Sequence, residues 1–139
     1  MPNRTSLVEQ ILVFKSCCRV DEEISLTTGL NPKEALVLIG LEGQEGRSSE
    51  ELARTAAVSP SRMSRLIDGL ADRGLVERRA DPDNRRRVIV TLTPLGRQNL
   101  RTLRLAARKC ERLLGARLDA AHRAVVARGM GLLVAAFQG

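Results

Sequence analysis

Along most of this chain the apolar positions keep a helical period, and between residues 75 and 92 that period gives way to two short runs, Leu75 to Arg79 and Val88 to Leu92. From about Thr5 to Glu23 they fall at Leu7, Ile11, Phe14 and Cys18. Steps of four and three put such positions on one face of a helix. Val13, Cys17 and Val20 widen the stripe, and Thr27 to Leu30, which holds Gly29, reads as a break. A second helix is predicted from Asn31, with Asn31 as cap, Pro32 at the first helical position and Glu34 three residues after the cap. Ala35, Leu36, Leu38, Ile39 and Leu41 supply its apolar side, and Gly43 and Gly46 mark a loop.

Ser48 and Glu51 have the spacing of a capping box, opening a helix that buries Leu52, Ala53 and Ala56. The next helix takes Ser59 as cap and Pro60 inside it, with Met63, Leu66, Ile67 and Leu70 as its stripe and Gly74 at its end. At 1.5 Å per residue it is roughly 22 Å long, ample to lie in a major groove. Leu75 to Arg79 and Val88 to Leu92 are the predicted strands, joined by a polar loop around Pro82. Thr93-Pro94 restarts helix, which runs to about Arg117 with Leu100, Leu103, Ala107, Cys110 and Leu114 on one side. Asp119 caps a last helix that is apolar on several faces, from Ala124 to Phe137.

That order predicts a mainly α chain with a small β wing (α+β): a winged helix-turn-helix head with terminal dimerisation helices. Within one structural domain, residues 1–30 form the N-terminal dimerisation helix, 31–93 the DNA-binding head and 94–139 the C-terminal dimerisation helices. Apolar residues make up 43% of the 139, with no Trp or Tyr and two Phe, so the core must be aliphatic. There is no aromatic platform on which unpaired bases could stack. The net charge is +7, almost all of it from arginine, since Lys15, Lys33 and Lys109 are the only lysines. A polyanionic partner and a solvated basic surface both fit that charge. Three cysteines, Cys17, Cys18 and Cys110, make no disulfide framework, no apolar run approaches 18 residues, and the N-terminus lacks a signal-peptide pattern. These point to a cytoplasmic protein without a membrane span.

The chemistry concentrates in the head. A helix entering the major groove presents its N-terminal turns to base edges. Opposite the buried stripe lie Ser61, Arg62 and Arg65, with Ser64 at the border and Ser59 at the cap. Arginine binding guanine through two donors is the commonest specific contact; touching phosphate or merely solvating the helix are the alternatives. Arg85, Arg86 and Arg87 sit together at the expected hairpin end, flanked by Arg78 and Arg79. Five guanidinium groups in one short segment repel one another, which phosphates or a narrow minor groove would relieve. Arg78 or Arg79 pairing with Glu77 or Asp81 would account for one or two of them. Asp68 and Asp72, one turn apart, are expected to pair with Arg65 and Arg73.

The segment from Ser49 to Gly96 resembles the MarR family of bacterial transcriptional regulators. It carries Ser49-Glu50-Glu51-Leu52-Ala53, Val58-Ser59-Pro60-Ser61, Arg65-Leu66-Ile67-Asp68-Gly69-Leu70 and Gly74-Leu75-Val76-Glu77-Arg78-Arg79. Arg86 matches the arginine of the family's Asp-x-Arg wing motif. Leu92-Thr93-Pro94-Leu95-Gly96 matches the family's strand end in Leu-Thr and the glycine beyond it. The motif's Asp falls on Asn84, which cannot form an ion pair; Asp83, one residue earlier, is the candidate substitute. The resemblance implies a homodimer with intertwined terminal helices, presenting two heads to a pseudo-palindromic double-stranded DNA operator. Independently, the first helix and the last two carry more apolar surface than a small head could cover. The resemblance further implies repression relieved by a small, often aromatic, anionic effector, for which the sequence shows no pocket, or by an oxidant acting on Cys17 or Cys18. Against the redox reading, Cys18 fits the Leu7-Ile11-Phe14 stripe as a small core residue.

His122 is the only histidine, and neither a zinc set nor a Gly-rich phosphate loop is present. No cofactor, no metal and no enzymatic activity are expected. Two rivals remain from other classes: a winged helix that binds protein, and a sequence-blind architectural DNA-binding protein.

Overall fold

The computed structural model describes residues 6–138, so the expected helix start at Thr5 lies outside the described residues. The elements are α1 (Leu7–Cys17), α2 (Val20–Thr28), α3 (Pro32–Gly40), β1 (Arg47–Ser48), α4 (Ser49–Ala56), α5 (Pro60–Asp72), β2 (Val76–Ala80), β3 (Val88–Leu92), α6 (Pro94–Gly115) and α7 (Ala120–Gln138). The chain is mainly helical with one three-stranded antiparallel sheet in the order β1-β3-β2.

Local chemistry sets most of these ends. Asn31 Oδ1 accepts the Glu34 N–H at 2.9 Å, Ser48 Oγ the Glu51 N–H at 3.2 Å, Ser59 Oγ the Arg62 N–H at 3.2 Å and Thr93 Oγ1 the Gly96 N–H at 3.0 Å. Each cap satisfies an amide that the first helical turn leaves without a partner. At the end of α5, Gly74 turns left-handed at φ 73°, and the Leu75 N–H bonds the Leu70 carbonyl at 3.0 Å. Behind the helix-turn-helix, Leu38, Leu52, Met63, Ile67, Leu70 and Val90 pack into a dry aliphatic core. This core fixes α5 against the sheet and the sheet against α4.

Several expectations are corrected. The first helix is two helices: Cys18 is extended (φ −79°, ψ 118°), and Arg19 begins α2 without a side-chain cap. No Gly or Pro causes the break; α2 takes its direction from α6, where Lys109 Nζ bonds Glu23 Oε1 at 2.8 Å and Asn99 Nδ2 reaches the Thr28 carbonyl at 3.4 Å. Cys18 is half-buried and α1 has no buried residue, so Cys18 is not a core position. On α3 it is Val37 that is buried, while Leu36 faces out. Strand β1 was not anticipated, because a two-residue strand shows no period; it pairs Arg47 with Val90 and Ser48 with Ile89. Only the Ser48 half of the proposed capping box forms, since the Glu51 carboxylate lies against Arg47 and Arg87.

The terminal helices are a separate feature. Both α1 and α7 lack buried residues, leaving Leu7 66%, Val125 69% and Phe137 79% exposed. By length and mean hydropathy (1.3), α7 is also apolar enough to cross a membrane. The sequence shows no unbroken apolar run there because Arg123 and Arg128 interrupt it.

Candidate nucleic-acid interface

Helix α5 has two faces. Met63, Ile67 and Leu70 are buried, whereas Ser59, Ser61, Arg62, Ser64 and Arg65 are all exposed. Ser59 is engaged as the cap, and its hydroxyl lies 3.3 Å from that of Ser61. No side-chain hydrogen bond or ion pair commits Arg62 or Arg65 among the described residues. Asp68 pairs with Arg78 of β2, not with Arg65. Arg73 pairs with Glu34 at 2.9 Å and reaches the Gly29 carbonyl, not Asp72. Both corrections have one cause. The packing of α5 on β2 and α3 brings these charges together, and closeness in sequence along α5 does not compete with it. The consequence is that Arg65 stays unpaired on the exposed face.

In the wing, Ala80 and Val88 form the last pair of the β2–β3 ladder. The loop beyond is held by its own backbone and two short side chains. Asp81 N–H bonds the Arg87 carbonyl at 2.9 Å and Arg87 N–H the Asn84 carbonyl at 2.8 Å. Asp81 Oδ1 accepts the Asp83 N–H at 2.9 Å, and Asn84 Oδ1 the Arg86 N–H at 3.2 Å. An amide oxygen accepts that bond as a carboxylate would, so Asn84 braces the tip without an ion pair and Asp83 does not replace it.

The three arginines of the loop separate. Arg85 and Arg86 are exposed, with no side-chain partner among the described residues. Arg87 turns back: its Nη2 lies 3.4 Å from Ser48 Oγ and 3.3 Å from Glu51 Oε1. The hydrogen bond from Arg47 holds the Glu51 carboxyl below the usual carboxylate range, with Ser48 and Arg87 acting in the same direction. Arg79 is exposed on β2, while Arg78 is taken by Asp68, so neither pairs with Glu77 or Asp81. Thus the exposed, uncommitted arginines here are Arg62 and Arg65 on α5, Arg79 on β2, and Arg85 and Arg86 at the wing tip.

A cleft of about 640 Å³ opens on another side, between the loop after α3, the end of β3 and α6. Arg97, Arg101, Arg104 and Arg108 line its α6 wall, and Leu41, Leu92 and Leu100 are apolar parts of its lining. Arg104 pairs with Glu42, whose carboxyl is lowered by that hydrogen bond; Arg97 Nη1 bonds the Leu92 carbonyl at 3.2 Å. Sequence reasoning did not single out this row, although its spacing of four, three and four is a helix-face signal. The first helix presents Cys17 exposed, its thiol 3.5 Å from the Phe14 carbonyl. Arg19 points to Glu22 at 3.6 Å.

Known proteins share both sequence and architecture with this chain. A family model described as the MarR family matches residues 28–87. A protein of Thauera aromatica, assigned as a transcriptional regulatory protein for the hcr operon, is 30% identical over 124 residues, which cover 89% of this chain and 71% of that protein. Among solved structures, the transcriptional repressor CouR bound to a 23-mer DNA duplex superposes with a TM-score of 0.80 at 27% identity, covering 93% of this chain and 92% of that one. The PcaV transcriptional regulator from Streptomyces coelicolor, in complex with its natural ligand, superposes with a TM-score of 0.83, covering 95% of this chain and 94% of that one. At 19% identity, that likeness speaks for the fold alone.

Proposed function

The chain belongs to the MarR family of transcriptional regulators, and from that premise we propose that it is a homodimer that binds double-stranded operator DNA by sequence. In this reading it is a repressor, relieved by a small ligand or by an oxidant. One observation carries the reading: exposed guanidinium groups without side-chain partners among the described residues occur on the first turns of α5 and at the wing tip. Arg62 and Arg65, beside Ser61 and Ser64, enter the major groove and read base edges. Arg85 and Arg86 meet phosphate or an adjacent minor groove. Arg87 belongs to the same contact set by sequence, but its ion pair with Glu51 makes its role an indirect one.

The uncovered apolar residues of α1 and α7 support the dimer, since a soluble monomer rarely leaves so much apolar surface in water. A twofold dimer presents two heads to a pseudo-palindrome. For the ligand, the cleft is lined by Arg97, Arg101 and Arg108, by Arg104 paired with Glu42, and by Glu45, so it keeps an excess of positive charge beside its apolar lining, which suits an organic anion.

Titration of the protein against labelled DNA from upstream of its own gene, and against a shuffled duplex, tests the reading. Arg62→Ala or Arg65→Ala should weaken the upstream fragment by about 1–3 kcal/mol and relax preference at particular base pairs. Equal affinity for both duplexes would identify an architectural protein, and no binding to either would identify a protein-binding winged helix.

A further inference from the structure

We propose that Glu51 is the positioning residue of the wing: it ties Arg87, at the root of the wing loop, to α4, and so sets how Arg85 and Arg86 meet DNA read by α5. The inference rests on the DNA-binding reading above. Arg87 does two things at once. Through its backbone, Arg87 closes the wing loop, bonding Asn84 with its N–H and Asp81 with its carbonyl. Through its side chain, it leaves the loop and reaches Ser48 Oγ and Glu51 Oε1 in the first turn of α4. On the way its Nε is buried without a hydrogen-bond partner. An exposed hairpin arginine has no cause to bury a donor unless its far end is held.

The holding group is shared. Glu51 uses Oε1 for Arg87 and Oε2 for Arg47 Nε, 3.2 Å away. Arg47 lies on β1, next to β3, and its Nη1 bonds the Gly40 carbonyl at the end of α3 at 3.2 Å. One carboxylate therefore links the helix before the sheet, the edge strand, the helix-turn-helix and the wing root. Ladder hydrogen bonds between β2 and β3 keep the hairpin together, and the core seats its base against α4 and α5; the Glu51–Arg87 pair adds a tie farther out, at the root of the wing loop.

Charge alone and positioning predict opposite results, which makes Glu51→Gln informative. Removing a carboxylate from a DNA-binding protein should tighten binding if only charge matters. Losing the tie should instead loosen the wing and weaken binding to the upstream fragment by about 3- to 5-fold, the scale of one partly exposed ion pair. The decisive comparison is with Arg86→Ala. In the parent protein this change should shrink the log–log salt slope by up to about 2 per dimer. In Glu51→Gln it should shrink it much less, while Arg62→Ala keeps its full effect in both backgrounds. A purely structural loss would lower all affinities together and leave these ratios unchanged. Arg87→Gln, cutting the tie from its half-exposed end, should reproduce the loss of Arg86 coupling even if Glu51→Gln folds poorly. Binding by Glu51→Gln that is as tight as the parent's, with the Arg86 effect intact, would overturn the inference. An Arg86→Ala change without effect in the parent would overturn the wing's DNA contact itself, and this inference with it.

Discussion

Ala57 occupies the one non-glycine position with positive φ among the described residues, at φ 53° and ψ 49°. It ends α4 and lets the Val58 N–H bond the Ala53 carbonyl at 3.1 Å, which turns the chain tightly into the Ser59 cap. For an L-residue this conformation costs about 1–2 kcal/mol. Ala57→Gly should therefore stabilise the protein by about 1 kcal/mol, because glycine's greater freedom in the unfolded chain offsets part of the relief. Urea unfolding of the two proteins measures it; a less stable variant would mean that the turn is not strained. At the same scale, Asn84 shows why a motif position can change type and keep its task. Its oxygen accepts the Arg86 N–H, and a neutral acceptor suffices for that.

Between elements, α6 packs closely on Leu75, the residue before β2, at Gly96. A Cβ on Gly96 would stand 2.0 Å from the Leu75 carbonyl oxygen and 3.0 Å from its carbon. That same oxygen accepts the Thr93 N–H at 3.1 Å. Thr93 Oγ1 caps α6 and donates to the Gly74 carbonyl, so the cap of α6 and the end of α5 are joined at one point. Gly96→Ala must push these backbones apart, and overpacking of this kind costs about 1–3 kcal/mol. A fall of that size in unfolding free energy, read by circular dichroism during urea titration, is the expected outcome. Unchanged stability would show that α6 can withdraw without loss. Because α6 also carries the arginine row, such a shift would alter the cleft as well.

At the scale of the whole molecule, α1 and α7 are the elements that the rest of the chain leaves uncovered. Val126, Met130 and Val134 of α7 and Val8, Leu12 and Val13 of α1 are all exposed large apolar residues. Their burial in a twofold interface would contribute about 25 cal/mol per Å² of apolar area. Light scattering on the eluting protein at micromolar concentration should therefore give about twice the 15.2 kDa of one chain. Deleting residues 1–30, or those after Gly115, should yield aggregated protein, since the remaining stripes lose their cover. A soluble monomer from either deletion would refute the dimer. Recovery of the full chain in the membrane fraction would instead assign α7 to a bilayer.

What was legible in the sequence is whatever acts over about one helical turn. Asn31, Ser48, Ser59 and Thr93 announce helix starts because a cap bonds an amide three residues on. Gly74 announces an end, and the apolar spacing of Met63, Ile67 and Leu70 tells which face of α5 is left to solvent. The winged helix and its resemblance to a regulator family emerge from such local signals taken in order. What only the tertiary structure decided are pairings across long stretches of chain. Arg87 meets Glu51 over 36 residues, Arg73 meets Glu34 over 39, and Arg78 draws Asp68 away from Arg65. The break at Cys18 and the two-residue β1 belong to the same class, because neighbours in space, not in sequence, set them. A charge along one helix meets a partner according to which elements pack beside it. Periodicity can place it on a face, but the core decides what that face touches.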